Sequence, residues 1–403
     1  MSTKPTNSNP PSMTERWQPV WAQIPSHIVT LSDYEQAARL HLPTAMQAIL
    51  FENNLAPNNS YSNASALDNK RWLPRMLDPK LIDLSCHLYN PHSAVALDIR
   101  LPHPLWLSPV AHQGLYHPQA EKATFEAANL LNTPCIFSSQ GNTLFTELLP
   151  NTTVANAVQW YWQSLPQQPT QPSSLQSSQT NNKQARRDYN LQLIEKLAAQ
   201  GMQLLVITVD APHSGVRAVS RRAQVILPSY CQAINLPQSN HINGAHAAQG
   251  INDLLAQAPD WADIEWLLTR CPVPVLLKGI LHPSDAKRAR DIGCAGIVAS
   301  NHGQRVLADA IAVADILPEL RQSVGNDMVI IADGGVRSGS DMAKLIALGA
   351  DAVGIGRGYI YGLALAGALG VAHVNKLLLE ELQVTMATLG AANMQALRES
   401  MLR

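Results

Sequence analysis

Short apolar runs ending in small or polar residues recur eight times along the chain, at 104–108, 135–138, 154–161, 204–210, 273–278, 296–300, 328–333 and 352–356. Between several of them the pattern changes to amphipathic helical stretches, at 191–200, 284–292, 312–323, 339–348 and 363–382, each close to the length of a βαβ crossover. Eight such alternations over roughly 280 residues predict an α/β fold of the (β/α)8 TIM barrel type. An open doubly wound sheet is the competing arrangement. Polar and charged residues gather after the last apolar position of the strands all round the series, as the C-terminal face of a barrel demands.

Three segments fall outside the repeat. Residues 1–25 read as a disordered tail, and 26–100 as a mainly helical N-terminal extension with a helix start at Ser32-Asp33-Tyr34-Glu35, leaving 101–395 for the barrel. Within the barrel, 163–188 opens with Gln, Ser, Pro, Thr and Asn and few apolar residues, so it is expected to be a solvated excursion after the third strand. Residues 228–260 form a long loop after the fourth strand, with a lid and simple mobility as its two readings.

Composition narrows the function classes. A chain of 403 residues with 46% hydrophobic and 15% charged residues can bury a large core. A net charge of -1 offers no electrostatic case for nucleic acid. The polar, proline-rich stretch 1–11 has no apolar signal region, and no uninterrupted apolar run reaches the ~18 to 20 residues of a membrane span, so neither export nor spanning is expected. The five cysteines (Cys86, Cys135, Cys231, Cys271, Cys294) are scattered without a C-x-x-C pair, which predicts reduced cytosolic thiols and no metal site. The expected location is cytoplasmic, with a peripheral seat at the inner membrane left open.

The candidate chemistry sits at strand ends. Ser300-Asn301-His302-Gly303-Gln304-Arg305 places an imidazole and a guanidinium just past an apolar run, a spacing that suits a proton acceptor beside an anion clamp. Asp333-Gly334-Gly335-Val336-Arg337 joins an acid, paired glycines and an arginine, which suits a phosphate on backbone N–H groups. Further strand-end strings are Ser108-Pro109-Val110-Ala111, Gln159-Trp160-Tyr161, Thr208-Val209-Asp210, Leu277-Lys278-Gly279 and Gly356-Arg357.

In that order these strings resemble the FMN-dependent 2-hydroxy-acid oxidases and dehydrogenases, the glycolate oxidase and L-lactate dehydrogenase group, over about 100–390. The resemblance implies oxidation of an L-2-hydroxy acid, lactate-like or larger, to the 2-oxo acid. It implies His302 as base, Asp210 as the carboxylate that orients it, and Tyr161 as a phenol at the substrate. Arg305 and Arg217 would bind the substrate carboxylate, and Lys278 would favour charge on reduced flavin. Pro109, Ala111, Ser138, Gln159, Thr208 and Ser300 would border the flavin ring. Asp333, Gly335, Arg337, Gly356 and Arg357 would take the ribityl chain and phosphate. The partners implied are the acid, an electron acceptor left open between oxygen, a quinone and a cytochrome, and further copies of the chain in a homo-oligomer, by resemblance a tetramer. Another FMN barrel enzyme of isomerase type and a flavin binder with decayed activity are the alternatives.

Three departures from the family stand out. A tyrosine expected in the N-terminal segment falls at Ile49 or Leu50, which removes one contact to the substrate carboxylate or makes room for a larger apolar side chain. After Arg305 the chain reads Val306-Leu307-Ala308 in place of Gln-Leu-Asp, and Ser338 replaces a second arginine near the phosphate.

Overall fold

The computed structural model describes residues 16–52, 61–74, 80–151, 155–166, 179–212, 218–223, 225–236, 251–400 and 402–403. Residues 16–25, expected within a disordered tail, form a packed strap. The Trp17 indole donates to the Ala364 carbonyl at 2.7 Å and the Trp21 amide to Leu365 at 2.9 Å. Both indoles and Ile24 lie against the core, so apolar burial holds the strap. Residues 1–15 lie outside the described part.

Helix α1 (Leu31–His41) starts just ahead of the expected string. Thr30 is its cap: its hydroxyl accepts from the Asp33 amide at 3.2 Å, while the Asp33 carboxylate accepts from the Thr30 amide at 2.8 Å. Helices α2 (Thr44–Leu50) and α3 (Asn63–Asp68) follow. The extension is not mainly helical to residue 100, because β1 (Cys86–Asn90) and β2 (Leu97–Leu101) form an antiparallel hairpin. Its Leu88, Leu97 and Leu101 pack onto Trp106, Ile136 and Leu204 inside the barrel. A barrel floor left open would expose those interior side chains, and the hairpin removes them from water.

The barrel strands are β3 (Leu105–Leu107), β4 (Cys135–Ser138), β5 (Asn156–Trp160), β6 (Leu204–Thr208), β7 (Val275–Lys278), β8 (Gly296–Ala299), β9 (Val329–Asp333) and β10 (Ala352–Ile355). Each pairs in parallel with its sequence neighbours, and β10 closes the ring on β3. Around them lie α4 (Glu121–Leu130), α5 (Phe145–Leu148), α6 (Gln179–Ala199), α7 (Ala218–Arg222), α8 (Ile251–Leu255), α9 (Trp261–Leu268), α10 (Pro283–Asp291), α11 (Val313–Val324), α12 (Gly339–Ala347), α13 (Arg357–Leu389) and α14 (Met394–Arg398). One apolar cluster fills the barrel interior, and a larger one lies between strands and helices. All five cysteines are free thiols, and all but the half-buried Cys86 are buried.

Two loop expectations change. Of the polar stretch 163–188, residues 167–178 lie outside the described part, and from Gln179 the chain forms α6, where polar residues make structural bonds rather than face water alone. Asn190, fully buried, accepts from the Trp160 indole at 3.0 Å and donates to the Gln163 carbonyl at 2.9 Å, and Arg187 donates to Asp263 at 2.7 Å. Of the loop 228–260, residues 237–250 lie outside the described part, while 229–236 are docked on the loops after β3 and β4. The His112 ring meets the Cys231 carbonyl at 2.9 Å, the Asn142 amide donates to Gln232 at 2.9 Å, and Asn235 donates to the Thr143 carbonyl at 2.7 Å.

Helix α13 is long and apolar enough to cross a membrane by length and composition, although no uninterrupted apolar run predicted it. In the fold 61% of its most apolar window is buried, against α4, α12 and α1, and it bends at Ala366 and Gly367, where Gly367 takes a φ of 60°.

Candidate functional site

All eight strands point their C-terminal ends at one cavity of about 1470 Å³. At its floor Lys278, the last residue of β7, is 4% exposed. Its ammonium donates to the Ser300 hydroxyl at 2.8 Å and lies 3.5 Å from the Asp333 carboxylate. Burial pulls the lysine pKa down, but Asp333, Asp210 and Tyr161 raise it further, so the group stays charged. Asp333 also accepts from the Ser108 hydroxyl at 3.2 Å. Gly354 makes room for that contact, since a Cβ there would lie 2.3 Å from the serine oxygen.

Beside the lysine runs a buried polar row. Ser138 donates to Gln159 at 2.9 Å and Gln159 donates to Thr208 at 2.7 Å, across three adjacent strand ends. The backbone from Ser108 to Val110 is held from behind. The Tyr359 hydroxyl donates to the Ser108 carbonyl at 3.0 Å, and Gln113 donates to Tyr359 at 3.2 Å and to the Val110 carbonyl at 3.3 Å. Pro109 and Ala111 thus line the cavity on a fixed segment.

His302 is raised into the cavity by a turn in which His302, Gly303 and Gln304 all take left-handed φ, at 55°, 64° and 61°. Two of these residues carry side chains, a local strain that the surrounding bonds hold in place. The His302 amide donates to Ser300 at 3.1 Å, and its Nδ1 lies 3.3 Å from Asp210 Oδ1. With Nδ1 on the carboxylate, Nε2 is the nitrogen left for proton exchange. Burial pushes the Asp210 carboxyl up, but the hydrogen bond from His302 and the charges of His302 and Lys278 hold it below the usual carboxylate range. Gly279 lets the pair form: its φ is +104°, and a Cβ there would sit 2.4 Å from the Asp210 side chain.

Arg305 lines the same cavity and donates through Nη2 to the Ile49 carbonyl at 2.9 Å and the Leu50 carbonyl at 3.0 Å. It therefore caps the C-terminal end of α2, where the family's tyrosine was expected. Tyr161, Gly335, Gly356 and Arg357 also line the cavity, the last two at the start of α13. Arg337 lines it too, but its guanidinium pairs with Asp68 at 2.7 Å and Asp341 at 3.3 Å. Arg217 lies outside the described residues.

Some working residues carry no motif. Asn63 of α3 and Asn301 exchange amide hydrogen bonds at 2.7 and 2.9 Å, both 4% exposed, which ties the extension to the His302 turn. Glu52 accepts from the Ser220 hydroxyl at 2.6 Å and joins the end of α2 to α7. Asn301 stood inside a motif, but its partner is 238 positions away. Gln304 is 3% exposed in the cavity wall, and its Nε2 finds no acceptor among the described residues. An orphaned donor, a buried ammonium, a polar strand-end row and a glycine-lined rim with cationic side chains fit a long, anionic, ring-bearing molecule such as FMN.

A family model for FMN-dependent dehydrogenases matches residues 38–403. An L-lactate oxidase of Alicycliphilus denitrificans is 38% identical over 298 residues, covering 73% of this chain and 76% of the relative. An L-lactate oxidase of Nostoc sp. is 33% identical with 93% of this chain and 98% of the relative covered. The mouse 2-hydroxyacid oxidase 1 is 30% identical over 93% of this chain and 96% of its own length. The crystal structure of a mandelate oxidase with (S)-2-phenylpropionate superposes with a TM-score of 0.76 at 30% identity, covering 93% of this chain and 98% of that one.

Proposed function

The chain belongs to the FMN-dependent dehydrogenase family and is an FMN-dependent oxidoreductase of 2-hydroxy acids, and on that premise we propose that it oxidises an L-2-hydroxy acid, lactate-like or larger, with His302 as base. The observation that carries the proposal is the His302–Asp210 pair, 3.3 Å apart, in one cavity with the buried Lys278 and with Arg305. His302 Nε2 takes a proton from the substrate, and Asp210 stabilises the imidazolium that results. Arg305, with Arg217 and the Tyr161 phenol, holds the carboxylate and orients the hydroxyl toward the imidazole. Bound FMN supplies the two-electron acceptor.

The chain's part toward FMN is positional and electrostatic. Lys278 keeps a positive charge that would favour the negative charge gained by FMN on reduction. Pro109, Ala111, Ser138, Gln159, Thr208 and Ser300 would border the ring, and Asp333, Gly335, Arg337, Gly356 and Arg357 would take the ribityl chain and phosphate. The relatives named oxidases favour oxygen as the final acceptor, which peroxide formation in air tests against reduction of a quinone or a cytochrome. The main test is anaerobic mixing of the yellow protein with a panel of L-2-hydroxy acids. Loss of the oxidised-flavin absorbance is expected, and a flavin that no panel member bleaches would overturn the proposal. His302→Ala should retain FMN and bleach about 10² to 10⁴ times more slowly; wild-type speed in that variant would remove the histidine from its role.

A further inference from the structure

Tyr116 ends the 3-10 turn Gln113–Leu115 that follows β3, with its amide bonded to the Gln113 carbonyl at 2.9 Å. The residue is 2% exposed and lines the cavity. Its hydroxyl makes no hydrogen bond with any described residue and opens onto the cavity space. A tyrosine whose ring is packed in a cavity wall presents its hydroxyl to whatever fills the cavity, an apolar body with one polar tip. An unpartnered hydroxyl in a cavity wall marks the place of a ligand acceptor.

The surroundings identify that acceptor. Arg305, Cys231 and Tyr361 line the same cavity as Tyr116. Burial pushes the phenol pKa up, so the group is a donor over the working range, and the Arg305 guanidinium acts on it electrostatically. A neutral donor beside a cation recognises an oxyanion. Arg305 has already given Nη2 to the Ile49 and Leu50 carbonyls, so part of its fork serves α2. A carboxylate at this arginine needs a further donor to be satisfied.

We propose that Tyr116 donates a hydrogen bond to the substrate carboxylate beside Arg305, supplying from the β3 loop the phenol that the N-terminal segment lacks at Ile49 and Leu50. The assignment rests on the 2-hydroxy-acid reading above and adds a substrate-binding residue to it.

The test uses FMN-loaded Tyr116→Phe, which keeps the ring and removes only the hydroxyl. Loss of one hydrogen bond to a charged group should raise KM for the acid about 10- to 100-fold, with kcat within about threefold and FMN content unchanged. Kd for the corresponding 2-oxo acid, read from its perturbation of the flavin spectrum, should rise by the same factor. The 2-hydroxy amide, whose carbonyl is a neutral and weaker acceptor, should lose less affinity in the variant than the acid does. Cys231→Ala, in the same wall, is the packing control and should leave KM unchanged. Tyr116→Phe with an unchanged KM, or an equal rise in Cys231→Ala, would overturn the assignment while leaving the reaction itself intact. A wild-type flavin that no acid bleaches fails the reaction instead. Should Tyr116→Phe not hold FMN, Tyr116→Gln, which keeps a donor, should retain a preference for acid over amide, and loss of that preference would reject the role.

Discussion

His302 owes its position to residues that do no chemistry. The left-handed turn at 302–304 aims the ring, Ser300 holds its amide, and the missing Cβ at Gly279 leaves space for Asp210 to reach it. Asp210 carries a pH signature. Its folded-state pKa is depressed below the ordinary 3.8, so its contribution to stability is complete above that value and is lost as pH falls through the lower, folded-state value. Asp210→Asn removes this dependence. Urea midpoints collected from neutral to acid pH should fall more steeply for wild type than for the variant, and parallel curves would show that the carboxylate is not held by His302 and Lys278. At this scale the strand-end strings made the site largely legible, because base, acid and ammonium each lay where a strand stops. Asn63 was not legible, since nothing in its local sequence points to a partner 238 positions on.

Among the elements, periodicity served where one face is buried and the other wet, and failed where polar residues do structural duty. All eight strands fell within the apolar runs, whereas α6 began inside a stretch too polar to show a helical stripe, with Asn190 and Arg187 making buried contacts in place of apolar ones. The hairpin Cys86–Asn90 and Leu97–Leu101 was missed because its value lies in closing a barrel floor that the local sequence does not describe. The docked segment 229–236 gives an element-scale prediction. Asn235 bonds both the Thr143 carbonyl at 2.7 Å and the Phe145 amide at 3.0 Å, so Asn235→Ala should release about 1 to 3 kcal/mol of local anchoring. Hydrogen exchange over 229–236 should accelerate accordingly while exchange in β6 stays at the wild-type rate. Unchanged protection of that segment would mean that its contacts are not what holds it.

For the whole molecule, the C-terminal segment ties the barrel to the extension. Arg321 of α11 and Arg398 of α14 both reach Asp351 at 2.6 Å, Asp351 also accepts from the Ile330 amide at 2.8 Å, and Trp72 forms a β-bridge with Leu402. Asp351→Ala leaves the Ile330 amide without its acceptor and takes the carboxylate from two guanidinium groups that keep carbonyl partners, which should cost about 1 to 3 kcal/mol. Chemical denaturation of the holoprotein should show that loss, and a shift under about 1 kcal/mol would reduce the cluster to an ordinary surface ion pair. By itself the sequence determined the barrel and set the candidate base, its carboxylate and the lysine at strand ends, because these depend on local apolar runs and on which side chain ends each strand, while the cofactor class came with the family resemblance. Only the tertiary structure decided that Arg305 is shared with the end of α2, that Arg337 pairs with Asp68, and that Tyr116 faces the cavity unpartnered. Those outcomes depend on distances between residues far apart in the chain, which are set when the ring closes and the extension packs across its open face.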